Sequence, residues 1–182
     1  MRLAFGVEYD GTEWNGWQTQ ICKNTVQDAI ELALSKFASQ RIKIICAGRT
    51  DSGVHAKGQV IHFDTEINRQ IWNWIRGTNS LLPKSIRIKW GSIVSADFHA
   101  RFSAKSRTYS YTICNSPIES PLSSRSSTWI YQRLNEKKMQ LASECLIGKH
   151  DFSSFRSSEC QANSPVRIIN RCDLERDGVF LK

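Results

Sequence analysis

The chain has 182 residues, of which 40% are hydrophobic, and it contains six Trp, eight Phe and four Tyr. This apolar content supports a packed core, as one domain or two small lobes, and excludes a disordered polar chain. A formal charge of +8 points to a polyanionic partner. No apolar run approaches the ~18 residues that cross a bilayer, and no signal-peptide core follows Met1, so we expect a cytoplasmic protein.

The six cysteines are widely spaced, at positions 22, 46, 114, 145, 160 and 172. Neither a Cys-x-x-Cys pair nor a His pair at zinc-ligand spacing occurs, so the sequence predicts no metal site and no disulfide framework. We expect Cys46, which lies in an apolar segment, to be a small core residue.

The first 95 residues predict two helices and four strands in the order β, α, β, β, α, β. A helical apolar stripe begins after Asn24 or Thr25, either of which would cap it, and runs to Phe37. The second helix is predicted over Asn68–Gly77, ended by the segment 79–83. Strands are predicted at Arg2–Tyr9, Ile42–Cys46, Val60–Phe63 and Ile86–Val94. This order favours an α+β fold with helices on one face of the sheet.

A second lobe is predicted to begin at residue 96 with a basic, aromatic connector. Its predicted elements are a strand at Arg107–Ile113 with Tyr109 and Tyr111 on one face, a loop at Pro117–Ser127, a helix over Leu134–Gly148 capped by Asn135, a polar loop ending at Pro165, a strand over Val166–Glu175 and a hairpin turn at Arg176–Gly178. The helix and strand that would repeat the first lobe are missing, so this lobe is expected to be incomplete.

Positive charge and aromatic rings occur together between Asp97 and Lys138. This stretch contains seven basic and three acidic residues. Phe102, Tyr109 and Trp129 lie in the same stretch. Arg and Lys can neutralise phosphates while rings stack on bases, so the stretch favours nucleic acid as the partner.

The segment 47–58 joins two predicted strands and contains Gly48, Gly53 and Gly58. Glycine permits positive φ and close approach of the backbone to a ligand. Its one carboxylate, Asp51, lies two positions after Arg49, which can favour the ionised form. The segment is therefore suited to present a carboxylate nucleophile, although an Asp in such a loop can also simply cap a turn.

Five ordered motifs give the chain a family resemblance. They are Glu8–Gly11 with Gly16–Gln18, Ala47–Ala56, Asp97–Ala104, Arg107–Tyr111 and His150–Arg156. Together they resemble the tRNA pseudouridine synthase family usually called TruA, over essentially the whole chain. The resemblance implies the pseudouridine synthase fold, with two ferredoxin-like or RRM-like lobes sharing a mixed, mainly antiparallel sheet.

The same resemblance implies that uridine is isomerised to pseudouridine on the 3′ side of the tRNA anticodon arm. It also implies a homodimer that uses no cofactor and no metal. In this sequence Asp51 would be the nucleophile, Arg49 its ion-pair partner, and Tyr109 the ring that stacks on the target uracil. Three further motif residues are predicted to bind substrate: His55, Arg101 and Arg107.

The resemblance departs from the family at the C-terminus, because family members continue past Lys182 with further active-site and dimer residues. Two interpretations stay open: a reduced but active enzyme, or a catalytically impaired tRNA-binding remnant. A nucleoside or glycoside hydrolase that uses Asp51 is a weaker alternative, since the loop offers no second carboxylate as general acid.

Overall fold

The computed structural model describes residues 1–156 and 164–182. These residues divide into two compact units, Met1–Arg107 and Thr108–Lys182. The predicted polar loop before Pro165 falls largely outside the described residues, as does Cys160. Within the described ranges, no helix has the length and apolar character needed to cross a membrane.

The first unit has the predicted order of two helices and four strands. Its elements are β1 (Arg2–Tyr9), α1 (Val26–Ala38), β2 (Ile45–Cys46), β3 (Ala56–Asp64), α2 (Ile71–Leu81) and β4 (Ile86–Val94). The strands form one sheet in the order β2-β3-β1-β4, and every neighbouring pair is antiparallel. This is the split βαβ arrangement of ferredoxin-like domains. The α+β class is therefore confirmed.

The core of this unit lies between the sheet and its two helices. Leu3, Phe5 and Val7 alternate along β1 and are fully buried, as the period of a strand requires. The ring of Trp74 in α2 lies 5.6 Å from that of Phe63 in β3. Because β1 is central and Tyr9 at its end is also buried in the core, this strand fixes the position of the loop that leaves its C-terminal end.

The capping residue of α1 is Thr25, one of the two that the sequence predicted. Its side chain accepts the N–H of Asp28, and Ser39, the residue that follows the helix, has the left-handed conformation. Thr25 is fully buried, so the cap lies inside the core. The cap thereby fixes the end of the segment that connects β1 to α1.

The strand predicted at Ile42–Cys46 is much shorter, because only its last two residues pair with β3. The N–H of Ile42 donates to Ser35 Oγ at 2.8 Å, and the N–H of Ile44 donates to Glu31 Oε1 at 3.2 Å. Side chains of α1 therefore take the backbone groups that a longer strand would have paired.

The next strand begins earlier than predicted. Ala56 pairs with Tyr9 of β1, so residues 56–58 belong to β3 and not to the glycine-rich loop. The loop that carries Asp51 is consequently residues 47–55, a connection of nine residues between the strands β2 and β3.

The second helix is displaced toward the C-terminus relative to the predicted Asn68–Gly77. Asn79, expected to help break it, is accommodated because its side chain accepts the N–H of Ile88 at 2.8 Å and donates to the Ile88 carbonyl at 2.9 Å. The helix ends at Leu81, two residues before Pro83, where the proline disfavours helical geometry in the residue that precedes it.

The connector at 96–107 packs with the first unit, although the sequence placed it at the start of the second lobe. The guanidinium of Arg2 donates to the carbonyls of Ala96 and Phe98. The N–H of Ala100 donates to Nδ1 of buried His62 at 3.1 Å. His62 alternates with core residues of β3, so the connector covers the sheet face opposite the helices.

The buried position of His62 predicts that the stability of the fold depends on pH. Burial, with Arg2 and His99 nearby, lowers the pKa of His62 below its ordinary 6.5, against a smaller opposing effect of Asp64. The unfolded chain then binds a proton more readily than the folded chain, so stability is greatest above about pH 6.5 and falls as the pH drops below it.

Denaturant unfolding between pH 5 and 8 measures this dependence. The variant His62→Asn keeps an acceptor for the Ala100 N–H and cannot titrate. We expect it to reduce the slope of unfolding free energy against pH below about pH 6.5. An equal slope in the wild type and the variant would show that His62 does not set it.

The second unit contains short strands and one helix. Its elements are β5 (Ile113–Asn115), β6 (Thr128–Ile130), α3 (Glu136–Glu144), β7 (Gly148–Asp151), a 3₁₀ turn (Ser153–Phe155), β8 (Val166–Ile169), β9 (Arg176–Asp177) and β10 (Phe180–Leu181). One sheet has the order β6-β5-β10-β9, with β5 and β6 parallel, and β7 pairs with β8 alone. The strands of the described residues thus form three sheets in all, not one shared sheet.

The prediction of a strand at Arg107–Ile113 is wrong except at its last residue, because β5 begins at Ile113. The strands that flank β5 have only three and two residues, so its hydrogen-bond ladder begins at Ile113. Tyr109 and Tyr111 precede it without regular structure, and Tyr109 is 79% exposed. The two rings therefore do not share one face of a strand, as had been predicted.

Other predicted boundaries in this unit also shift. Asn135 caps α3 as predicted, but the helix ends at Glu144, and Gly148 begins β7 with a φ of 109°. The strand predicted over Val166–Glu175 ends at Ile169. The terminal hairpin is confirmed, but Arg176 and Asp177 form its first strand and the turn consists of Gly178 and Val179.

The second unit has a small core. Its buried residues among those described are Cys114, Asn115 and Leu181, and α3 buries none of its side chains. Few apolar side chains therefore hold these strands together, as expected of an incomplete lobe.

Candidate active site

The loop at 47–55 lies at one end of the first sheet and carries Asp51, Arg49 and His55. All three residues are exposed. The carbonyl of Asp51 accepts the N–H of Val54 at 3.2 Å, and Gly53 has a φ of 79°, so the chain turns directly after Asp51. Asp51 is therefore a turn residue whose carboxylate lies at the protein surface.

A second loop, residues 10–17 after β1, packs against this loop backbone to backbone. The N–H of Trp17 donates to the Thr50 carbonyl at 2.9 Å, and the N–H of Gly53 donates to the Trp14 carbonyl at 3.2 Å. These bonds lie immediately before and two residues after Asp51. The position of Asp51 is therefore set by the loop that leaves the central strand.

Two glycines make this close packing possible. A Cβ at Gly11 would lie 2.1 Å from the Val54 carbonyl oxygen, and one at Gly16 would lie 2.8 Å from that of Thr50. Gly16 also has a φ of 81°, which side chains disfavour. Because the obstructing atoms belong to the backbone, any larger residue must displace one of the loops.

Tyr9 connects β1 of the sheet to the Asp51 loop. Its hydroxyl lies 2.8 Å from Thr50 Oγ1, and burial raises its pKa above the ordinary value, although hydrogen bonds with Thr50 and Gln59 act in the opposite direction. The phenol therefore stays protonated at neutral pH and acts as a fixed hydrogen-bonding group.

The start of the loop is held at Gly48 and Ala47. Gln59 of β3 accepts the Gly48 N–H at 3.2 Å and donates to the Gly48 carbonyl. Arg107 donates to the Ala47 carbonyl through Nε at 3.2 Å and through Nη2 at 2.6 Å, and Nη2 also lies 3.3 Å from the carbonyl of Arg101. Arg107, predicted to bind substrate, thus contacts the backbone of the loop.

The half-buried thiol of Cys46 lies near two of the predicted cationic residues. Burial raises its pKa, while the positive charges of Arg49 and Arg101 act to lower it. Both guanidinium groups are therefore within electrostatic reach of the start of the loop. Cys46 lies at the edge of the core and only partly fits the predicted core role.

His55 ends the loop beside Asp10. Its Nδ1 lies 3.1 Å from Asp10 Oδ1 and 3.2 Å from the N–H of Gly11. One nitrogen cannot donate to the carboxylate and accept from the amide at the same time, so the two contacts exclude each other. Through either contact His55 ties the end of the loop to the chain after β1.

The first unit thus contains five of the six predicted site residues: Arg49, Asp51, His55, Arg101 and Arg107. Tyr109 belongs to the second unit, where its ring is exposed. Among the described residues, no group of three or more His, Cys, Asp or Glu side chains could hold a metal ion.

Sequence reasoning did not assign the two sheet residues that support the loop, Tyr9 and Gln59. No sequence signal marks Gln59, because it precedes the apolar run Val60–Phe63. Only the structure shows that its side chain is buried, at 8% exposure, where a polar group requires a partner.

Comparison with known proteins assigns the family. The tRNA pseudouridine synthase family profile matches residues 6–103 and 142–181, and the chain belongs to this family. The matched ranges include the β1 loop and the Asp51 loop, and the resemblance read from the five motifs is confirmed.

Three relatives named tRNA pseudouridine synthase A illustrate the similarity. The protein of Herminiimonas arsenicoxydans is 51% identical over 181 residues, which cover 97% of this chain and 66% of that protein. That of Legionella pneumophila strain Lens is 51% identical, covering 98% and 68%, and that of Bordetella petrii is 49% identical, covering 99% and 68%. The chain spans about two thirds of the length of these relatives.

Proposed function

We propose that this protein isomerises uridine to pseudouridine in tRNA, with Asp51 as the nucleophile. The observation that carries the proposal is the close packing of two loops. Gly11 and Gly16, in the loop after the central strand, contact the backbone of the loop that exposes the Asp51 carboxylate. Membership of the tRNA pseudouridine synthase family supports the reaction, and the names of the relatives support tRNA as substrate.

The reaction breaks the bond between ribose C1′ and N1 of uracil and forms a bond between C1′ and C5. N1 carries no hydrogen in uridine and gains one proton in the product, while C5 loses its hydrogen to solvent, so the atoms balance without a redox or group-transfer partner. An ionised carboxylate that attacks C1′ or the base divides this rearrangement into two easier steps. This chemistry needs one exposed, well-positioned carboxylate, which Asp51 supplies.

The target base in a stem must leave its stack to reach Asp51, at a cost of roughly a few kcal/mol. We assign Tyr109 to offset part of this cost by stacking, since its ring is 79% exposed and aromatic side chains stack on extruded bases. We assign Arg49 to pair with Asp51 and contact the substrate, and His55 and Arg101 to bind the RNA near the loop.

Finer features of the proposal rest on the family resemblance. They are action on the 3′ side of the anticodon arm, a homodimeric assembly, a cytoplasmic location, and catalysis without metal or cofactor. The charge of +8 supports binding to the phosphate backbone, which is strengthened at low salt.

The alternative is a catalytically impaired tRNA-binding remnant. One observation favours it: the small core of the second unit. This alternative predicts salt-dependent tRNA binding with no chemistry.

Nucleoside analysis of treated tRNA separates these possibilities. Unmodified tRNA is incubated with the purified chain, digested and chromatographed, and binding is measured in parallel at two salt concentrations. We expect pseudouridine to appear as uridine declines. Bound but unchanged tRNA would favour the remnant, and free uracil would identify a hydrolase; either result would refute the proposed isomerase activity of this chain.

A further inference from the structure

We propose that Gln59 and Arg107 are positioning residues that hold the first peptide groups of the Asp51 loop from two sides. The proposal rests on the proposed function, because it explains how the loop is kept ready for catalysis. Neither side chain would touch the reacting atoms. Both contact the backbone of residues 47 and 48, three to four positions before Asp51.

Gln59 makes a paired contact with the backbone of Gly48. Its carboxamide accepts the Gly48 N–H and donates to the Gly48 carbonyl, so both backbone groups of one residue are satisfied by one side chain. The side chain is buried at 8% exposure, and it also bonds to Tyr9, which lies against Thr50. One buried amide therefore connects β3, β1 and the loop.

Arg107 holds the same stretch from the connector. Two of its nitrogens donate to the Ala47 carbonyl, and one of them is also directed at the carbonyl of Arg101. Gly48 leaves space for this approach, because a Cβ there would lie 3.3 Å from Arg107 Nε. The planar guanidinium fork suits several carbonyls at once, which a lysine ammonium cannot reproduce in the same geometry.

The two contacts complete a set of fixed points around Asp51. Gly48 is fixed by Gln59, Thr50 by Tyr9 and Trp17, and Gly53 by Trp14. Asp51 therefore lies between anchored residues, and loss of the Gly48 anchor frees the side of the loop that bears Arg49. A displacement of about 1 Å at a reacting group can reduce a rate by about 100-fold.

The test compares Gln59→Ala with Gln70→Ala, a matched substitution at an exposed glutamine in the same unit that makes no capping bond to α2. We expect Gln59→Ala to lower the single-turnover rate of pseudouridine formation about 100-fold, with the Kd for tRNA within about twofold of the wild type. Gln70→Ala should match the wild type in both. Equal rates in the two variants would overturn the role of Gln59.

Arg107→Lys distinguishes positioning from phosphate binding, because it keeps the charge. We expect a slower single-turnover rate with an unchanged Kd for tRNA. A weaker Kd with an unchanged rate would instead make Arg107 a substrate contact and would overturn its positioning role.

Hydrogen exchange of the Gly48 amide provides a readout that does not depend on activity. This N–H is protected by Gln59, so Gln59→Ala should accelerate its exchange at least 10-fold while the amides of β1 remain protected. Unchanged exchange would overturn the positioning proposal even in an active enzyme. A wild-type chain that makes no pseudouridine would refute the proposed function, and the exchange measurement would then decide alone whether the contact holds the loop.

Discussion

Asp51→Asn is expected to reduce pseudouridine formation by at least ~10⁴-fold, to the limit of detection. Asparagine keeps the shape of the side chain but lacks the negative charge and the nucleophilic oxygen on which the proposed reaction depends. The change is made at an exposed turn residue, so the fold should be unaffected. Release of tritium from tRNA labelled at uridine C5 measures the rate.

The control for this prediction is Asp97→Asn, the same substitution at an exposed carboxylate of the same unit. It should release tritium at the wild-type rate. Both variants should bind tRNA as the wild type does, since losing one negative charge does not weaken binding to a polyanion. Full tritium release by Asp51→Asn would exclude Asp51 as the nucleophile.

Gly11→Ala and Gly16→Ala are expected to lower both activity and stability. The added methyl group would meet the carbonyl of Val54 or Thr50 at 2.1 or 2.8 Å, so the two loops must separate. At Gly16 the positive φ adds strain. We expect about 1–3 kcal/mol lower unfolding free energy and at least ~100-fold slower tritium release.

Gly58→Ala is the matched control, because a Cβ at Gly58 meets no atom within 4 Å. Its unfolding free energy should stay within about 0.5 kcal/mol of the wild type. Chemical denaturation and tritium release are measured on all three variants. If Gly11→Ala and Gly16→Ala behaved like Gly58→Ala, the loop contact would not be what positions Asp51.

The first unit could be predicted closely from its sequence because its signals are local. Alternating apolar residues defined β1, and a helical stripe with a capping threonine defined α1. The errors occurred where side chains form hydrogen bonds with backbone groups that a strand would have paired. The side chains of Ser35 and Glu31 accept hydrogen bonds from the backbone before β2. No residue pattern in that segment predicts such contacts.

The second unit was predicted less well, because short strands depend on their neighbours. Tyr109 and Tyr111 alternate as strand residues do, yet the partner strands of β5 are too short to extend a ladder to them. Local preference cannot reveal the length of a partner that is distant in sequence.

For the candidate site, the sequence identified the loop and its carboxylate but not what holds them. Asp51 and Arg49 were found from spacing and family motifs. The contacts of Gly11 with Val54 and of Gln59 with Gly48 join residues 43 and 11 positions apart, and they became visible only once the sheet placed two loops side by side.

Single-turnover release of tritium by the wild-type chain, in excess over C5-labelled tRNA, tests most directly whether this loop is catalytic in a chain of 182 residues. The proposed function predicts tritium release that keeps pace with pseudouridine formation, with one tritium lost for each uridine converted. A folded chain that binds tRNA in a salt-dependent manner and releases no tritium would contradict it, and would identify the protein as a binding remnant of its family.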